Sequence, residues 1–246
     1  MKFYIFKGKV MIAAAIAVVL AVVAAVLVFP AIQDRSIAVG GPEPIFQGNT
    51  GDKIVAISVN VDWGEEFLPA MLDEFKKNNA QVTFFVTGRW AEKNPDMLQR
   101  MAQAGHSIQN HGYRHVHFNT LGSEEIVTEI KKAETIIYNI TGQRSAFFAS
   151  PYGEYNPRLV KAVNGIGYQY IMWSVDTIDW QKPAPETIVS RVTKKVHNDA
   201  IILMHPTEPT VKALPALLGQ LQAQGYQMVT INNITAGQGD GSNDAN

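Results

Sequence analysis

Two histidines, His111 and His115, stand four residues apart in the segment Asn110-His111-Gly112-Tyr113-Arg114-His115. In one turn of helix-like backbone this spacing aims both imidazoles at a single point, as in helical chelators of transition metals. Imidazole suits zinc, copper, iron and nickel better than calcium or magnesium. A polar loop can produce the same pair by coincidence, so the weight falls on the other reactive side chains. These are Asp62, Asp176, Asp179 and His205, with Trp63, Tyr152 and Trp180 beside them in sequence.

The elements that must position these groups alternate. Short β-rich runs at 54–61, 81–87, 106–109, 146–149, 168–175, 200–204 and 226–231 are separated by longer amphipathic patterns. The helical patterns cover 65–79, 94–105, 123–142, 156–167, 185–197 and 211–225, with Asn-Pro pairs opening two of them. Alternation of this kind predicts right-handed βαβ units and a parallel sheet, either closed into a barrel or open and doubly wound. In both architectures chemistry gathers beyond the carboxyl ends of the strands. The segments 59–64, 111–115, 149–153, 173–180 and 203–206 all fall at such ends. Scattered polar residues would not line up in this way.

Val10 to Phe29 carries no charged, amide or hydroxyl side chain and follows Lys2, Lys7 and Lys9. About 20 apolar residues span a bilayer as a helix, and the lysines predict a cytoplasmic N-terminus with the remainder exported. The run is longer than the apolar part of a cleaved signal peptide, so an uncleaved single-pass anchor is expected. The expected organisation is a cytoplasmic end at 1–9, an anchor at 10–29, a linker at 30–50, a folded domain at 51–235 and a disordered tail at 236–246. Cysteine is absent, which excludes disulfides, thiolate metal sites and cysteine nucleophiles. The net charge is −1 and no basic stripe occurs, so a nucleic-acid partner is not indicated.

The ordered set Asn-His-x3-His, Ser-Pro-Tyr-Gly, Trp-Ser-x-Asp-x-x-Asp-Trp and Leu-x-His, spread over roughly 54–234, resembles the polysaccharide deacetylases (NodB-like, carbohydrate esterase family 4). The likeness is greatest to the membrane-anchored members of spore-forming bacteria. The resemblance implies a distorted (β/α) barrel of seven strands and a divalent metal, usually zinc. It also implies removal of N-acetyl groups from amino sugars in a polymer such as peptidoglycan or chitin. An amide carbonyl is a poor electrophile, and a Lewis acid with an open coordination position can polarise it while activating water. On that pattern His111, His115 and Asp62 are the expected metal ligands, and His205 is the general acid for the leaving amine. Asp179 fixes its tautomer. Tyr152, or the N–H beside it, would face the oxyanion. Pro151, Leu203, Trp180 and Trp63 are expected against the sugar.

Two positions depart from the pattern. The family's general base, an aspartate, is Asn60 here, and its arginine partner is Ala149. An amide cannot take a proton at neutral pH, and losing both members avoids leaving one charge unpaired. Two readings follow. In one, an active enzyme uses Asp62, Asp176 or metal-bound hydroxide as base; in the other, a weakly hydrolytic or inactive relative serves as a glycan-binding or structural factor.

Overall fold

The computed structural model describes residues 43–236. The expected anchor, its flank and nearly all of the expected tail lie outside them. Among the described residues no helix is long and apolar enough to cross a membrane. The strands and helices, in chain order, are β1 (Ile54–Val61), α1 (Leu68–Lys77), β2 (Thr83–Val86), α2 (Gly88–Lys93), α3 (Pro95–Gln103), β3 (Ser107–Asn110), α4 (Ser123–Thr141) and β4 (Phe147–Phe148). They continue with α5 (Pro157–Asn164), β5 (Gln169–Tyr170), β6 (Val175–Asp176), α6 (Pro185–Lys195), β7 (Ala200–Met204), α7 (Glu208–Ala223), β8 (Gln227–Val229) and α8 (Ile231–Ile234).

The strand pairs are parallel, in the order β5-β4-β3-β2-β1-β7-β6, with β8 beside the first half of β1. The run expected as one strand at 168–175 is in fact β5 and β6, which lie at opposite edges of the sheet. From Tyr170 to Val175 the chain takes only five steps and reaches at most about 18 Å, so the sheet must curl until its edges nearly meet. Ile171 N–H donates to Phe148 O on one side and Ser174 N–H to Ile201 O on the other. The result is a parallel, curled half-barrel. β-rich composition marked this run as extended but carries no information on which neighbour each half pairs with.

Side chains alternate across each strand. Val55, Ile57, Val59 and Val61 of β1 join the apolar layer shared with the surrounding helices. Ala56 instead faces an inner cluster with Phe85, Phe147, Ala149, Ile171 and Ile201, plugged by Ile231 and Ile234 of α8. Counting by twos from Ala56 gives Ser58, Asn60 and, just past the strand, Asp62.

Helix α7 begins three residues before the expected 211, because Thr207 caps it: its Oγ1 accepts the Thr210 N–H at 3.1 Å. Asn156 caps α5 in the same way through Leu159 N–H at 2.9 Å. Residues in the stretch read as linker are bonded into the fold. Ile45 bridges Ile171, and Asp199 accepts from Thr50 Oγ1 at 2.6 Å and Gly51 N–H at 2.7 Å.

Candidate active site

The end of β3 delivers His111 into the interior, where it is 2% exposed. Its ring lies 2.7 Å from the Ala149 carbonyl through Nδ1. A carbonyl only accepts, so Nδ1 carries the proton and Nε2 is a bare acceptor. Burial first, and the neighbouring His115 second, push the His111 pKa down to about 3. His111 is therefore a neutral imidazole across the physiological range. The His115 ring stands 5.4 Å away, centroid to centroid, at 60°. Burial lowers its pKa too, opposed by the Asp62 carboxylate and reinforced by Arg89.

Tyr152 closes this side. It sits at φ 63°, ψ 5°, an uncommon conformation for a bulky residue. Its ring stacks on His117 at 4.0 Å and meets His115 edge-on at 4.7 Å. His117 is thus the prop under Tyr152, and Glu154 holds it at 2.6 Å through Nδ1. Gly153 has to be glycine, since φ is +64° and a Cβ would stand 2.5 Å from the Trp173 ring.

Across the opening, Asp179 is fully buried and accepts three hydrogen bonds. They come from His205 N–H at 2.6 Å, His205 Nδ1–H at 2.8 Å and Thr210 Oγ1 at 2.6 Å. The pairing fixes the His205 tautomer, leaving Nε2 turned away from the carboxylate. Asp179 opens a short 3-10 turn, Asp179–Gln181, flanked by Ile178 and Lys182 at positive φ. Left-handed backbone at a β-branched residue is strained, and it is held by Arg191 Nη1 donating to Thr177 O at 2.9 Å. The turn buries Asp179 and leaves Trp180 56% exposed. Trp63 lies nearly parallel to the His205 ring, 7° apart at 6.1 Å. Gly64 lets that loop approach: a Cβ there would be 2.2 Å from the Pro206 carbonyl.

Asp62 departs from expectation. Its Oδ1 accepts from Thr87 Oγ1 at 2.6 Å and Arg89 Nε at 2.8 Å, and its Oδ2 is bonded to Arg89 Nη2. Burial alone would raise its pKa; the Arg89 and Thr87 hydrogen bonds outweigh it and hold the carboxyl below its ordinary value. The carboxylate is therefore committed to a bidentate ion pair. Val61, the residue after Asn60, is buried and apolar. Among the described residues no three histidine, aspartate or glutamate side chains converge on a point that could take a metal ion. The expected His111-His115-Asp62 ligand set is thus only two imidazoles, and the residues present do not fit a closed metal triad.

Asn60 is 7% exposed, and its side-chain oxygen has no hydrogen-bond partner. It lies on the same face of β1 as Ala56 and Ser58. Asp176, the other candidate base, spends Oδ1 on the Ile178 N–H at 2.8 Å and acts as a turn cap. Ala149 lies in the inner apolar cluster. Pro151 and Leu203 are buried. Thr87 and Arg89 also follow a strand, β2, so the strand-end rule reaches them. Thr210 lies one helical turn into α7, and no spacing signal connects it to Asp179.

A polysaccharide deacetylase family model matches residues 47–171. The chain belongs to the polysaccharide deacetylase family. Among curated relatives, the uncharacterized protein YlxY of Bacillus subtilis is 38% identical over 193 residues, covering 78% of this chain and 60% of YlxY. A peptidoglycan-N-acetylglucosamine deacetylase of Bacillus cereus is 32% identical, over 77% of this chain and 70% of that protein. Among solved structures, BA3943 of Bacillus anthracis, a CE4 family pseudoenzyme, superposes with a TM-score of 0.77 at 38% identity, over 79% of this chain and 69% of that one. A BA3943 mutant with restored enzymatic activity gives the same TM-score at 36% identity. Deacetylases and a pseudoenzyme thus both stand among this chain's relatives.

Proposed function

We propose that the chain is a polysaccharide deacetylase acting on N-acetylated amino sugars of a cell-wall glycan, with peptidoglycan as the substrate class. The observation that carries this is the His205–Asp179 pair, buried on the acid side and open at the imidazole. Trp63, Tyr152 and Trp180 offer exposed rings on which sugar faces can rest. His205 holds a proton at Nε2 and passes it to the departing amine as the C–N bond breaks, while Asp179 supports the imidazolium. His111, neutral and fixed by Ala149, offers Nε2 as an acceptor that can orient water.

The water-activating half of the reaction is the weaker. Asn60 cannot accept a proton, Asp62 is tied to Arg89, and Asp176 caps a turn. The divalent ion, zinc, that the family resemblance implies supplies carbonyl polarisation when bound, but no step here runs through it, because Asp62 is already engaged. The second reading, a glycan-binding member with little turnover, is favoured by these same commitments. We also propose that the 10–29 segment anchors the domain outside the cytoplasm.

Acetate release from N-acetylated peptidoglycan fragments and chitin oligomers, measured with and without added zinc, tests the proposal. Release lost on His205→Ala supports the enzyme. Glycan binding with no acetate above background leaves the binding reading.

A further inference from the structure

We propose that Arg89 is the resident cation of this site, occupying the place against Asp62 that a divalent metal would take, so that the chain builds its active face without a metal and resists one. The inference rests on the site assignment above but not on turnover.

The guanidinium meets the carboxylate in the two-pronged geometry that suits this pair, through Nε and Nη2 onto separate oxygens. Thr87 adds a third donor, so neither oxygen lacks one. The Asp62 side chain is only 7% exposed, which strengthens the pairing and leaves little room for a second cation.

Arg89 is stationed there by backbone. Its N–H donates to Tyr113 O at 3.1 Å, and Gly88 N–H donates to Gly112 O at 2.9 Å, fastening the start of α2 to the histidine loop itself. Gly88 permits that approach: a Cβ would stand 2.7 Å from the Tyr113 ring and 3.1 Å from Ala133 Cα. Thr87 caps α2 while also bonding Asp62, so one residue fixes both partners. The charge is therefore built into the junction between β2 and the His111–His115 loop. With Arg89 in place the site offers two neutral-capable imidazoles and a neutralised acid, too few free donors for a tight tetrahedral ion.

The test is calorimetric titration of zinc chloride into the full chain, with the zinc-induced shift in melting temperature as a second readout. Arg89→Gln frees Asp62 beside His111 and His115 and should tighten zinc binding about 10- to 100-fold, the range for releasing an acceptor from charged hydrogen bonds. The neutral pair Asp62→Asn with Arg89→Gln should bind zinc no better and no worse than the natural chain. Equal affinity in the natural chain and Arg89→Gln would overturn the proposal. So would a tenfold loss in the neutral pair, which would make Asp62 a ligand already. Neither readout depends on acetate release, so failure of the deacetylase reading leaves this test intact.

Discussion

Asp179 binds one residue twice: it accepts both the backbone N–H and the Nδ1–H of His205, at 2.6 and 2.8 Å. Backbone and ring are locked to the same buried carboxylate, so the imidazole has one orientation and one tautomer. Asp179→Asn keeps the size but presents an N–H to one of three donors. Acetate release should fall about 100-fold or more, the usual worth of a positioned proton donor. Leaving one buried donor unmet should cost about 1–3 kcal/mol in denaturant unfolding. Unchanged turnover would remove the pair from the chemistry.

Asn60→Asp places a carboxyl on the inner wall at a position 7% exposed and without a partner for its oxygen. Burial should raise its pKa toward neutrality, the range a general base needs. Acetate release should rise about 10-fold or more, and further with Ala149→Arg if the wall admits the longer side chain. No rise would place the base elsewhere.

Acidification should destabilise the fold. His111 is pushed down to about 3 and His106 to about 4, the latter by burial between Phe75 and Phe84. A histidine whose folded pKa lies below its unfolded value binds fewer protons when folded. Its contribution is complete above the unfolded value and is lost as pH falls through it toward the folded one. Unfolding free energy should drop by about 2–4 kcal/mol between pH 7 and pH 5. His106→Leu should remove roughly half of that slope. A flat profile would contradict the burial of both rings.

His117→Ala removes the surface on which Tyr152 stacks. Both rings are exposed, so stability should change by no more than about 0.5 kcal/mol. The loss should appear as an approximately 3- to 10-fold rise in KM with kcat kept, as for a contact that positions sugar without touching the reacting bond. A fall in kcat alone would place Tyr152 at the oxyanion instead.

Hydrophobic alternation made the βα order and the gathering of His111, Tyr152, Asp179 and His205 at strand ends legible in the sequence, because period and strand polarity are local properties. Asp62 shows the limit. Its residue type and spacing suited a ligand, but its fate depends on Arg89, 27 residues away across β1 and β2, and pairing at that range leaves no periodic trace. His117 was invisible for the same reason: its role exists only once the strained Tyr152 turn folds over it. The splitting of 168–175 into β5 and β6 likewise depends on which neighbour each half finds.

The curled sheet leaves a seam between β5 and β6, and the 45–47 segment stitches it, Ile45 bridging Ile171 beside β5 and Gln47 bridging Ala200 of β7. Ile45 N–H donates to Tyr170 O, and Met172 N–H donates to Ile45 O, both at 2.8 Å. The wall of the half-barrel is therefore completed by a piece of chain that arrives from before β1. Trimming the protein at residue 51 would unpick that stitch and bare two main-chain groups beside Trp173, on which the Gly153 turn rests. The residues just ahead of β1 thereby also brace the rim that carries Tyr152.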